Sequence, residues 1–271
     1  MENKKNHKSY CIVLPVYKEH MSETEKISLM NLSKVTDDYS ETYLICPEGL
    51  NIDEYTAIHK NLHKIEFPKI YFLNIYTYNL LCMEYALYNL FTVYDYMVLT
   101  QLDVYLFKNT FQEWVDMDYD YIGGPILEWR GKLSDIQNPH AYNGGLSIRK
   151  IKTFRYLTDP NGKFRVINTL FQDVLFEVPK RFGEDIYFSN IVPQLYGFKM
   201  KIPEWNVALQ FSIDIPKECK EGYCEYTKHI LDAVPGNPVG IHSFAKRKEY
   251  AELLKDRIPE LTDEIISNLG K

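Results

Sequence analysis

The chain lacks any apolar run long enough to cross a membrane. Its first hydrophobic stretch, Tyr10 to Tyr17, is interrupted by Pro15 and is too short for a spanning helix or a signal peptide. It also lacks a dense Lys/Arg stripe. With a net charge of -6 it has little to offer nucleic acid, whose binding depends on neutralising phosphates. Cysteine is scarce: Cys11, Cys46 and Cys82 lie in apolar segments and read as small buried hydrophobes. Cys219 and Cys224 have no second pair of ligands to complete a zinc site. The odd count of five favours a reducing compartment, so the expected location is the cytoplasm. Without an internal repeat, a low-complexity tract or a Ser/Gly linker, the chain reads as one domain.

The chain is rich in core material. Of its 271 residues, 45% are hydrophobic and 25% charged, which excludes a disordered or fibrous protein. Tyr10–Val16 is a continuous apolar run with β-branched residues, the signature of a strand buried on both faces. Thr42–Cys46, Lys69–Leu73 and Tyr94–Thr100 read as three further strands. Between them, Ser22 with Glu25 forms a capping-box pattern ahead of an imperfect helical stripe, Ile27, Met30, Leu32 and Val35. Asp53 opens a short helix, and Leu80, Met83, Leu87, Leu90 and Phe91 predict a single amphipathic helix. This alternation implies an α/β fold with a mostly parallel sheet and right-handed crossovers. The second half is less regular, with strands near Tyr119–Ile122 and Gly144–Ile148 and helices near Glu184–Val192 and Lys246–Arg257.

Ligands of such sheets bind outside the carboxyl ends of the strands. Gln101-Leu102-Asp103 directly follows the fourth strand, and alternation puts Gln101 and Asp103 on one side. A carboxylate there can hold Mg²⁺ or Mn²⁺ against phosphate oxygens, or it can simply cap the next turn. The paired glycines of Asn143-Gly144-Gly145 allow close backbone approach to a ligand, or form an ordinary Asn-Gly turn. Glu184 and Asp185 follow Phe182-Gly183 at a helix start. They suit an acceptor-positioning group and a general base, or plain helix capping. His242 precedes the cations Lys246, Arg247 and Lys248 at another helix start, where they oppose the helix dipole unless an anion lies there. A solvated cluster is the alternative.

Taken in order, these blocks resemble the GT-A class of glycosyltransferases over roughly residues 10 to 245. Within it they resemble a bacterial and fungal group with Gln-x-Asp, Asn-Gly-Gly and Gly-Glu-Asp blocks. The resemblance implies a Rossmann-like GT-A fold with a mixed, mostly parallel sheet flanked by helices. Residues 9–108 would form the nucleotide-binding half, 109–245 the acceptor-facing half and 246–271 the C-terminal helices. It further implies Asp103 and His242 as metal ligands for Mn²⁺ or Mg²⁺. The donor would meet Pro15, Val16, Tyr17, Glu19, Gln101, Asn143, Gly144, Gly145, Lys246 and Arg247, with Asp185 as base and Glu184 positioning the acceptor.

The implied activity is metal-assisted, inverting transfer from a UDP-sugar to a glycan or lipid-linked acceptor in polysaccharide biosynthesis. Any membrane contact would be peripheral, at the inner face. Two departures stand out: Gln101 replaces the first Asp of the Asp-x-Asp motif, and Phe182 replaces a Trp with one Gly fewer. A pyrophosphorylase would want a Gly-rich loop where Val16-Tyr17-Lys18-Glu19-His20 stands. A glycosidase would want opposed carboxylates rather than adjacent ones. A non-catalytic carbohydrate-binding or scaffold protein on the same fold is the alternative from another class.

Overall fold

In the computed structural model, which describes residues 7–126, 139, 141–162, 183–216 and 223–269, the apolar runs become the centre of a mixed sheet. Its strands are β1 (Tyr10–Pro15), β2 (Thr42–Pro47), β3 (Leu62–Phe67), β4 (Tyr96–Thr100), β6 (Tyr121–Ile126) and β7 (Ala141–Lys150). A smaller sheet holds β5 (Val104–Leu106), β8 (Ser212–Asp214) and β9 (Gly240–His242). The large sheet runs β3-β2-β1-β4-β7-β6, with the first four parallel and β7 antiparallel to both neighbours. Helices cover both faces.

The two-residue period of each strand divides the core. Tyr10, Ile12 and Leu14 of β1, with Tyr96 and Val98 of β4, pack with Leu29 and Leu32 of the helix Glu23–Thr36. Cys11, Val13 and Met97 point the other way, among Leu81, Leu87, Tyr88 and Phe154. The capping box forms, with Ser22 and Glu25 bonded reciprocally. The helical stripe is imperfect for a physical reason. Met30 is exposed, while Ser28 and Asn31 are buried against β5. Ser28 donates to the Val104 carbonyl, and Asn31 bonds both the amide and the carbonyl of Leu106. The helix thereby completes the edge of the small sheet.

Two expectations fail. The third strand lies at Leu62–Phe67, and Lys69–Phe72 is a 3₁₀ turn after Pro68. As an edge strand, β3 buries only Phe67, so its sequence carries little apolar signal. The single amphipathic helix is two, Ile75–Cys82 and Tyr85–Asn89. The break is stabilised by Tyr88, whose hydroxyl donates to the Cys82 carbonyl at 2.6 Å. Cys11, Cys46 and Cys82 are buried free thiols, Cys224 is half-buried, and Cys219 lies outside the described residues. Among the described residues, no helix is long and apolar enough to cross a membrane.

Candidate active site

Because β1 lies between β2 and β4, the strand order reverses there, and a crevice opens outside the carboxyl ends of both strands. A cavity of about 570 Å³ occupies this place, within the usual size range for small-ligand sites. Of the residues expected at the donor, Pro15, Val16 and Tyr17 at the end of β1, Gln101 and Asp103 after β4, and Lys246 line it. Glu19 and Arg247 do not line it. The sequence reading missed Lys18, Tyr55 and the wall formed by Phe72, Leu73, Ile75 and Tyr78. Lys18 pairs with Glu25 at 2.7 Å, and Glu25 already caps the Glu23–Thr36 helix. That helix start is therefore satisfied internally, and Lys246 is the exposed cation at the cavity's polar end.

The small sheet assembles that end. Pairing of Val104 with His242, and of Asp214 with His242, brings three distant segments together. His242 is buried, with Nδ1 2.7 Å from Asp214 Oδ1. Its Nε2 lies 3.2 Å from both Gln101 Oε1 and Asp103 Oδ1. Lys246 Nζ is 4.0 Å from Asp103 Oδ2. Burial pushes the imidazole pKa down, but Asp103 and Asp214 outweigh it and raise it to about 10. Burial likewise opposes ionisation of Asp103, yet His242 and Lys246 lower its carboxyl to about 2. The ring is thus an imidazolium held between two carboxylates.

The same atoms test the site for a cation. Asp103 Oδ1 is buried and has no hydrogen-bond partner, its 3.2 Å contact with Nε2 being an ion pair only. Asp214 fixes the far ring nitrogen, the arrangement that orients histidine ligands in metal centres. Two donors each about 2.2 Å from an ion at right angles lie roughly 3 Å apart, close to the 3.2 Å contacts seen here. The oxygens of Gln101 and Asp103 therefore fit a hard cation, and His242 could join them as a ligand where the ion displaces its Nε2 proton. The set is sparse: among the described residues, no group of three or more His, Cys, Asp or Glu is placed to hold one.

The other predicted residues form a second group beside the cavity. Strand β7 bulges: Gly123 pairs with Ser147 and Gly124 with Asn143, so Gly144, Gly145 and Leu146 have no partner on β6. The bulge explains both glycines by close approach. A Cβ on Gly145 would collide with the His242 ring, and one on Gly144 would lie 2.5 Å from Glu184 Oε1. Neither glycine nor Asn143 lines the cavity. Asn143 Oδ1 instead accepts from the Gly145 amide at 2.7 Å.

Glu184 is buried and paired with Arg149, which sequence reasoning overlooked, at 2.8 Å. Burial pushes the Glu184 carboxyl up to about 7 against the pull of Arg149. Asp185 is half-buried and accepts from the Gly144 amide at 3.3 Å and the Ile186 amide at 2.8 Å. Phe182 lies outside the described residues. The one signal for Arg149 was its place next to Ile148 near the end of the strand-like Gly144–Ile148 segment.

Solved glycosyltransferases share this architecture. Mouse xyloside xylosyltransferase 1, in its apo form, matches with a TM-score of 0.52 at 11% identity, over 86% of this chain and 97% of that one. The galactosyltransferase LgtC, in complex with donor and acceptor sugar analogues, gives 0.53 at 13% identity over 96% of each chain. The bifunctional WbbM gives 0.53 at 10% identity, over 99% of this chain and 53% of that one. No curated protein sequence matches the chain. At such identities the likeness establishes the fold, which is the GT-A glycosyltransferase fold anticipated from the sequence blocks. The profile of the family described as "Protein of unknown function (DUF5672)" matches residues 61–228, more than half of the chain, so this protein belongs to the DUF5672 family.

Proposed function

We propose that the protein is a glycosyltransferase that moves a sugar from a nucleotide-sugar donor, a UDP-sugar in the first instance, to a glycan or lipid-linked acceptor. One observation carries the reading: the cavity at the strand-order reversal ends on Gln101, Asp103 and Lys246, with His242 buried directly behind the first two. A nucleoside diphosphate fits there, with its base and ribose against Val16, Tyr17, Tyr55 and Leu73. Gln101, Asp103 and His242 would hold Mn²⁺ or Mg²⁺, which when bound shields the charge developing on the leaving diphosphate. Lys246 adds fixed positive charge at the same place. Asp185, tied to the bulge that touches His242, takes the proton of the attacking acceptor hydroxyl. In-line attack of that hydroxyl on the anomeric carbon, which the resemblance of the Gly-Glu-Asp block implies, would expel the diphosphate and invert the configuration. LgtC, which binds donor and acceptor sugar analogues, supports the same two-substrate reading.

Thermal denaturation with nucleoside diphosphates, with and without Mn²⁺, tests the donor site, since a ligand of the folded state raises stability by mass action. We expect a diphosphate to stabilise the protein, with a larger shift in Mn²⁺, and Asp103→Ala to abolish the increment. Absence of any shift across uridine, guanosine and thymidine diphosphates would sink the reading. Gln101, a neutral amide beside Asp103, favours a second reading: a nucleotide-sugar binder without turnover. Donor hydrolysis that disappears in Asp185→Asn separates the two.

A further inference from the structure

The bulge and the helix that carries Asp185 are joined through one buried cation. Arg149 has no exposed surface, and all three of its guanidinium nitrogens are engaged. Nε donates to Ser147 Oγ at 3.1 Å, Nη1 to Tyr88 Oη at 3.0 Å, and Nη2 to Glu184 Oε1 at 2.8 Å, with a longer contact to the Gly144 carbonyl at 3.5 Å. Its plane lies near the rings of Tyr121 and Phe154, at 5.9 and 5.6 Å. Arginine can only donate, so the Ser147 hydroxyl is free to pass its own hydrogen to the Gly144 carbonyl at 2.9 Å. Arg149 therefore grips the Gly144 peptide from its carbonyl side, directly and through Ser147. The amide of Gly145, the next residue, is tied to Asn143, while the Gly144 amide meets Asp185.

We propose that Arg149 is the positioning residue of this site. It locks the Gly144 peptide of the β7 bulge and the Glu184–Asp185 turn as one rigid unit, setting Asp185 against Gly144. The inference rests on the transferase reading for its catalytic consequence, but the geometric claim stands separately. It gives Glu184 a definite part, as the counter-charge that fixes Arg149. It also accounts for a charged pair in an apolar layer, where two hydrophobic residues of similar volume would cost no desolvation.

A second tie shows what Arg149 is not needed for. Ser189 Oγ donates to the Asp185 carbonyl at 2.6 Å and accepts from the Tyr142 amide at 3.1 Å. The helix backbone stays docked on β7 without the ion pair, so removing the pair shifts the Gly144 peptide without detaching the helix. Removal also strands no donor. Tyr88 still donates to the Cys82 carbonyl, and Ser147 to the Gly144 carbonyl.

The test is the double variant Arg149→Met/Glu184→Met, with Arg149→Lys beside it. The cavity residues are untouched and Asn143 still holds the Gly145 amide beside His242, so uridine diphosphate affinity in Mn²⁺ should stay within about twofold, while donor turnover falls about 100-fold. That is the usual loss when a reacting group moves by roughly an ångström. Lysine keeps the charge but cannot reach Glu184 and Ser147 together, so Arg149→Lys should lose about tenfold. A folded double variant with turnover within threefold of wild type, or Arg149→Lys at full turnover, would overturn the proposal.

The second readout needs no activity. The Gly144 amide resonance should move on Asp185→Asn in the wild-type background and stay fixed in the double variant, or in Arg149→Lys if the double variant does not fold. An equal response in both backgrounds would refute the positioning role. If the wild-type protein neither binds a nucleotide nor turns one over, the transferase reading falls, and the Gly144 resonance still decides the role of Arg149.

Discussion

Asp214→Asn isolates one charge at the polar end of the cavity. The amide keeps an oxygen to accept from His242 Nδ1, now 2.7 Å away, so shape and hydrogen bond survive while the negative charge goes. A carboxylate and an imidazolium about 4 Å apart between charge centres attract by about 4 kcal/mol at an effective dielectric of 20. Opposite charges at this range move a pKa by roughly 1–3 units. Asp103 contributes the larger share of the rise at His242, so the Asp214 share belongs at roughly 1–2 units, or about 1.5–3 kcal/mol.

His242 is raised from 6.5 to about 10 on folding. Its stabilising contribution is therefore complete below pH 6.5 and is lost as pH rises through about 10. The variant should melt roughly 3–8 °C below wild type at pH 6, with the gap closing toward pH 10. Thermal denaturation across that range, without added cation, measures it. A gap that is absent, or constant from pH 6 to pH 10, would refute the picture of an imidazolium between two carboxylates. Manganese affinity should fall roughly 10- to 100-fold in the same variant.

Gly145→Ala places a methyl group inside the space of the His242 ring. It should cost about 1–3 kcal/mol in urea unfolding and weaken nucleotide binding in Mn²⁺. Retention of both properties would show that the ring moves freely. Asn31→Ala leaves the Leu106 amide and carbonyl unpaired in a buried layer, with an expected loss of about 2–4 kcal/mol in urea unfolding. Lys246→Ala removes an exposed cation, so diphosphate affinity should fall and lose part of its salt dependence, while the melting temperature stays within about 2 °C.

Much of the fold was legible because buried strands write themselves plainly. The runs Tyr10–Val16 and Tyr96–Thr100 are apolar on both faces, and the Ser22–Glu25 box marks a helix start. What misled was the edge. In Leu62–Phe67, an outer strand, polar residues face water, whereas the more apolar Lys69–Leu73 segment forms the 3₁₀ turn and cavity rim. Tertiary contacts set that difference, and local propensity does not record it. The stripe Leu80–Phe91 likewise held no sign of the break that Tyr88 stabilises.

By itself, the sequence determined the parallel alternation, the place of Asp103 at a strand end and the presence of two glycines where backbone had to approach something. The tertiary structure decided what they approach. Gly145 makes room for His242 and Gly144 for Glu184, because a three-residue bulge turns β7 toward the small sheet. Asp103 and His242 stand 139 positions apart in the chain (242 − 103). Only the antiparallel pairing of β5 with β9 brings them within 3.2 Å. Arg149 could be seen in the sequence but not understood there. A buried cation has meaning only through the groups that surround it, and those come from β7, the Tyr85–Asn89 helix and the Glu184 turn.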